Sequence, residues 1–310
     1  MKSINKMIIR IANTSWNDRI FVMLNTLLLT FFTIITLYPM LFVVSASFSD
    51  PNAVASGEMI LWPVNASLKA YKYILGYKEI WIGYANTIFY TFVGTLMNLV
   101  ATVPYAYALS RRDLSGRKFF MTLFLIPMYF GGGMIPAYLN IRDLGLLDTR
   151  MVLLVSGLVV TYNLIIARTF FMGIPWELHE AAFMDGCSDF KLLCKVILPL
   201  SRPILVVLML YYGVDHWNSY FQAMIYVRNR NKFPLQVFLK EILTQSQFNA
   251  AGTGDVFLSA EEMLEMARAA ETANMLKYGI IVVSTVPMLI LYPFLQKYFE
   301  KGAMIGSVKG

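Results

Sequence analysis

PWELHEAAFMDGCSDFKLLCKVILPLSRP, residues 175–203, is the longest water-compatible piece between apolar runs on the side that the charge count below makes cytoplasmic. Its punctuation predicts two short helices with a sharp bend. Pro175 suits a first helical position, where its missing N–H would go unpaired anyway. Gly186 suits a helix end that needs a left-handed residue. Ser188 is placed to cap the next helix, and Asp189 sits at that helix's positive end. Lys191 and Lys195 fall on one face, and Phe190, Leu193 and Ile197 on another. Pro199 and Pro203 close the unit. Local physics alone is equally met by an ordinary connection between membrane helices.

The flanking sequence calls for a non-aqueous solvent. Apolar residues make up 57% of the 310 and charged residues 15%, against about a quarter charged in soluble domains. Apolar runs occur at about 21–44, 86–109, 119–139, 151–171, 203–225 and 276–295. Each is long enough for a hydrocarbon core of roughly 30 Å. The first run is too long for a signal-peptide core and reads as a retained span. Ile4, Ile8 and Ile11 before it are spaced for a short interfacial helix. The expected fold is an all-α integral membrane domain of six transmembrane helices, with both termini on one side.

Of the 26 Lys and Arg, 15 lie in the N-terminal segment, the 111–118 loop, the bent loop with Arg168, and the tail. The other 11 are spread over longer opposite segments, so the bent loop and both termini are expected in the cytoplasm. This topology accounts for the net charge of +7 without nucleic acid. The expected layout is a cytoplasmic segment 1–20, one six-span domain over 21–295 with a coupling loop 172–202 and an outer loop 226–274, and a cytoplasmic tail 296–310.

The residues of the bent loop carry a resemblance. Glu180-Ala181-Ala182, then Gly186, then Leu198-Pro199 resemble the EAA loop of binding-protein-dependent ABC importer permeases. Val196 stands where that family usually has isoleucine. The last residues, GAMIGSVKG (302–310), resemble the tail of the subclass that imports sugars and oligosaccharides. The resemblance implies a type I ABC importer permease (MetI-like) fold in the plasma (inner) membrane. It also implies a heterodimeric second permease subunit, two ATP-binding ABC subunits and an extracellular solute-binding protein. ATP and Mg would sit on the ATPase partners, with no cofactor or metal on this chain. Glu180, Ala181, Ala182, Asp185, Gly186, Leu198 and Pro199 would form the coupling element that docks on the ATPase.

The absences agree. The chain has no G-x-x-x-x-G-K-[ST] phosphate loop, no G-x-S-x-G and no H-E-x-x-H, the signatures of an NTPase, a serine hydrolase and a zinc protease. Cys187 and Cys194 form no CxxC pair and make no ligand cluster with His179 or His216.

Three further constellations are candidates. Tyr211, Tyr212, Asp215, Asn218, Ser219 and Gln222 read as one polar helical face. Asp215 lies 12 residues past Pro203, about 18 Å deep by helical rise, where a carboxylate costs about 2.5–3.5 kcal/mol. It must face the protein interior or a water-filled cavity. The face suits a pathway for sugar hydroxyls, or an internal hydrogen-bonded pair. His216 is predicted on another face, which argues against an intramembrane enzyme built on Asp215 and His216. A permease for a non-sugar solute is the other alternative. Gly131–Gly133 with Pro136 either unwind the third span or, the preferred reading, let a neighbour pack closely. Ser259 and Glu262 form a capping box. By analogy with the family, Asn249, Gly252 and Gly254 are the candidate contact loop for the binding protein.

Overall fold

In a computed structural model the described residues are 16–250 and 272–293. They are helical, joined by turns. The chain, expected as one integral domain, divides by its contacts into two compact units.

The first unit is described over 16–72 and 272–282. Helix α1, Trp16–Phe48, has 33 residues, about 50 Å at helical rise, and overshoots a hydrocarbon core. Its leucines, isoleucines and phenylalanines are exposed almost all round, which identifies lipid or protein rather than water as their surroundings. Helix α2, Pro51–Ala55, starts at Asp50, whose carboxylate accepts from Asn52 N at 2.8 Å. The turn that follows is pinned back on α1: Ser67 N donates to Phe48 O at 2.7 Å, and Ser47 and Tyr71 share a 2.7 Å hydroxyl bond.

The second unit is described over 73–250 and 283–293. Helix α3, Lys69–Gly76, leads into it. Its axis is α4, Lys78–Ser110. After α4 come α5 (Arg117–Tyr129), α6 (Met134–Asp143), α7 (Arg150–Val155), α8 (Thr161–Met172), α9 (Glu177–Met184), α10 (Asp189–Leu200) and α11 (Arg202–Asn218). Then follow α12 (Phe221–Tyr226), α13 (Leu235–Ala250) and α14 (Thr272–Pro293). The core gathers Val103, Ala106, Tyr107, Leu164, Ala167, Phe171, Leu192, Ile197, Leu208 and Tyr212, so α4, α8, α10 and α11 share one apolar centre.

Three described helices are long and apolar enough to cross a membrane unbroken: α1, α4 and α14. Two bent pairs also qualify, α5 with α6 at 117° and α10 with α11 at 85°. The runs expected as continuous spans 3 and 4 are interrupted, and the fifth ends early. The third breaks at Phe130–Gly133, where Gly133 has φ +87°. Among the described residues a side chain at Gly131 or Gly133 would meet nothing within 4 Å, and Gly133, with its left-handed φ, serves the backbone turn. The expectation of close packing against a neighbour is corrected. The fourth breaks between α7 and α8 at Gly157, φ +81°. The fifth ends at Asn218, short of the expected 225, because Ser219 and Tyr220 leave the helical conformation.

Candidate functional site

The bend in the opening stretch is built as its glycine predicts. Asp185 closes α9, and Gly186 takes φ +67°. Gly186 N donates to Phe183 O at 3.0 Å and Cys187 N to Ala182 O at 2.9 Å. This is the paired 5→2 and 6→1 pattern of a Schellman end. Pro175 lies just ahead of α9, its carbonyl accepting from Leu178 N at 3.3 Å. Ser188 has N-cap dihedrals, but its side chain makes no cap bond; Leu192 N bonds to its carbonyl at 2.8 Å. Within α10 one π turn spans Leu193–Ile197. That shift of register separates Phe190, which is exposed, from buried Leu193 and Ile197, so the three do not share the predicted apolar face.

One side of this hairpin is anchored and the other is presented. Ala182, Cys187, Val196 and Leu198 pack against the core. Glu180, Ala181, Asp185, Gly186 and Pro199 are exposed, and Met184 at the end of α9 is 88% exposed. His179 is buried between the rings of Trp176, 4.7 Å away, and Tyr107, 6.0 Å away. Burial, with the Arg111 guanidinium nearby, pushes its imidazole below the usual value, so it is neutral at neutral pH. Arg111 itself bonds Asp113 and Asp189 and lies over Phe183. Its hydrogen bond to the Asp113 carboxylate, with its charge, holds that carboxyl below the usual carboxylate range. Sequence reading missed Arg111. The available signal was a cation immediately past an apolar run with Asp113 two residues on.

The predicted polar face of α11 is split. Tyr211, Asp215 and Asn218 are exposed, and Ser219 and Gln222 are half-buried beyond the helix end. Tyr212 is 1% exposed and belongs to the core. Its hydroxyl bonds Thr102 Oγ1 at 2.7 Å and accepts from Val160 N at 3.3 Å. It is a structural residue on a different face from Asp215, which corrects its assignment to the pathway face. His216 and Trp217 are buried as well. Trp217 Nε1 donates to Ser284 O at 3.1 Å, so its ring is not offered to a sugar. Tyr211 instead has a ring neighbour in exposed Tyr162, 6.3 Å away on α8.

Behind that face is a buried polar node. The Asn98 amide donates to Gly157 O at 3.0 Å and Leu158 O at 2.8 Å. Its oxygen pairs with His216 Nε2 at 2.7 Å, which makes Nε2 the donor. Irregular backbone at membrane depth persists where protein groups satisfy it, and Asn98 does so for the break between α7 and α8. Asp215 and His216 therefore form no acid–base dyad. A groove of about 500 Å³ between α4, α11 and α14, with Leu96, Met209, Gly213 and Leu289 in its walls, is almost wholly apolar and unsuited to sugar hydroxyls.

At the opposite end of α4, residues 226–235 are tightly held. Asp148 Oδ1 accepts from Arg228 N at 3.2 Å and Asn229 N at 3.1 Å. Asn249 lies in the last turn of α13. Gly252, Gly254, the capping box and the tail 296–310 lie outside the described residues. Among the described residues no group of His, Cys, Asp or Glu is arranged to hold a metal ion.

No family model matches the chain. It is 40% identical over 294 residues to the polygalacturonan/rhamnogalacturonan transport system permease protein YtcP of Bacillus subtilis, spanning 94% of this chain and 99% of that one. It is 37% identical over 292 residues to Protein LplC of the same organism, covering 94% and 96%. Among solved structures, a chain from a bacterial ABC transporter involved in the import of the acidic polysaccharide alginate is 39% identical, with a TM-score of 0.80 and coverage of 92% and 99%.

Proposed function

This chain belongs to the permease subunits of carbohydrate ABC importers, and from that membership we propose that it forms one transmembrane half of an ATP-driven oligosaccharide importer in the plasma membrane. The hairpin of α9 and α10 carries the proposal. Its EAA residues sit on a Schellman-ended helix whose inner side is fixed in the core and whose outer side is open. That arrangement suits a rigid lever pushed by another protein. In this reading the chain crosses the membrane six times with both termini inside. A second permease subunit completes the pathway, and two separate subunits bind and hydrolyse ATP with Mg. An extracellular binding protein delivers the sugar.

Glu180, Ala181, Ala182, Asp185 and Gly186 meet the ATPase, and Leu198 and Pro199 hold the second arm of the lever. Tyr211, Asp215, Asn218 and Gln222, with Tyr162 beside them, line this half of the pathway and hydrogen-bond sugar hydroxyls. Asn249, Gly252 and Gly254 face the binding protein. Alternation follows from the lever: closure of the ATPases on ATP moves the hairpin, and the permease halves rock about the site between them.

Relatives that act in transport of polygalacturonan, rhamnogalacturonan and the acidic polysaccharide alginate make oligosaccharides cut from such polymers the first substrates to test. The experiment is uptake into proteoliposomes containing the whole complex, with ATP on the ATPase side and binding protein on the other. Labelled oligogalacturonides, alginate oligosaccharides, maltotriose and an amino acid form the panel. Uptake of an oligosaccharide at least about tenfold above the amino acid is the expected result. Selective uptake of the amino acid would sink the carbohydrate assignment.

A further inference from the structure

An ion-pair fork fastens the hairpin to the base of α4. Arg111, the first residue past α4, has an 11% exposed side chain. Its Nε donates to Asp113 Oδ1 at 2.9 Å, Nη2 bonds the other Asp113 oxygen, and Nη1 bonds Asp189. The same guanidinium lies 5.4 Å from the ring centre of Phe183. Phe183 is in the last turn of α9 and Asp189 opens α10, so one planar group touches both arms of the hairpin. At the far end of α4, the Asn86 amide donates to Asn231 O at 2.8 Å and Phe233 O at 3.0 Å. Tyr90 donates to Lys232 O at 2.8 Å, and Thr87 Oγ1 accepts from Leu235 N at 2.8 Å. One helix of 33 residues thus holds the hairpin at one end and segment 231–235 at the other.

We propose that Arg111 is the positioning residue through which movement of the hairpin is delivered to α4, and that α4 carries it to the outer segment 231–235. The proposal rests on the hairpin being the ATPase contact. Beside the fork the hairpin meets α4 through a stacked ring pair, Tyr107 with His179, a contact that fixes no direction along the ring planes. A guanidinium fork holds two carboxylates in fixed directions; an ammonium supplies charge without that geometry.

The test is substrate imported per ATP hydrolysed by the reconstituted complex with its ATPases and binding protein. The variants are Arg111→Gln, Arg111→Lys, Asp189→Asn and the double Arg111→Gln/Asp189→Asn. Arg111→Gln is expected to lower the ratio about tenfold and Arg111→Lys about threefold. The double variant is expected to match Arg111→Gln alone, because both changes cut one link. A residue that only stabilises the fold would reduce the amount of complex and leave the ratio at the wild-type value, and that result overturns the proposal. So does a double variant whose losses multiply. Should Arg111→Gln fail to assemble, Arg111→Lys and Asp189→Asn, whose carboxylate is largely exposed, decide it: wild-type ratios in both refute the link. A wild-type complex whose ATPase ignores loaded binding protein would instead sink the parent reading, before Arg111 is at issue.

Discussion

Gly186→Pro is expected to abolish the stimulation of ATP hydrolysis by loaded binding protein, lowering it at least about tenfold in complexes that still assemble. The reason is geometric. Gly186 has φ +67°, and proline is confined near −65°, so the chain cannot leave α9 in its present direction. Proline also removes the N–H that bonds Phe183 O at 3.0 Å. With that turn lost, Cys187 N no longer meets Ala182 O and the Schellman end opens. α9 and α10 then part company, and a push on Glu180 and Ala181 is no longer shared with the core-packed arm at Val196 and Leu198. Nothing lies within 4 Å of a Cβ built at position 186, so an alanine there is spared a steric clash. Gly186→Ala, which meets only the left-handed penalty of roughly 1–2 kcal/mol, should keep part of the stimulation. The measurement is ATPase activity of the reconstituted complex with and without loaded binding protein. Wild-type stimulation in an assembled Gly186→Pro complex would reduce the hairpin to a connector.

Gly94→Ala is expected to cause the largest loss of stability among single-methyl changes in α4. A Cβ there would stand under 3.0 Å from three ring atoms of His216. The ring cannot simply withdraw, because Nε2 holds Asn98 Oδ1 at 2.7 Å. Forced shifts of this kind cost about 1–3 kcal/mol. Releasing His216 from Asn98 adds about 1–3 kcal/mol for the buried groups left unpaired. Asn98 also closes the carbonyls of Gly157 and Leu158, so its displacement loosens the break between α7 and α8. Thermal unfolding in detergent should show the midpoint falling by about 5 °C or more. His216→Ser in the Gly94→Ala background removes the collision and should restore part of the loss. An unchanged midpoint, or a double variant with fully additive losses, would show that the imidazole does not fill this position.

The parts of the fold legible in the sequence are those fixed by local chemistry. Gly186 announced a left-handed residue because little else tolerates one, and it occupies that position. The long apolar runs announced membrane helices because no soluble core accommodates them. What could not be read depends on contacts distant in sequence. Gly131–Gly133 admits close packing or an unwound backbone, and the break at 130–133 with its left-handed Gly133 decides for the second. Tyr212 and Asp215 look like one polar face when the helix is drawn alone. Thr102 and Val160, more than fifty residues from Tyr212, draw that tyrosine inward. Asn98 and Arg111 carried no motif, and their roles arise from partners on other helices. The candidate site divides the same way: the residues proposed for coupling fall together on one hairpin, and those proposed for the pathway do not form one face.

The most direct measurement is photo-crosslinking from the end of α9, with p-benzoylphenylalanine at position 184, where the native methionine is 88% exposed. In the assembled complex, irradiation is expected to join this chain to an ATPase subunit, with the yield changing when ATP is added. Adducts confined to lipid or to the binding protein would contradict the account, because the exposed face of the hairpin would then not be where the ATPase pushes.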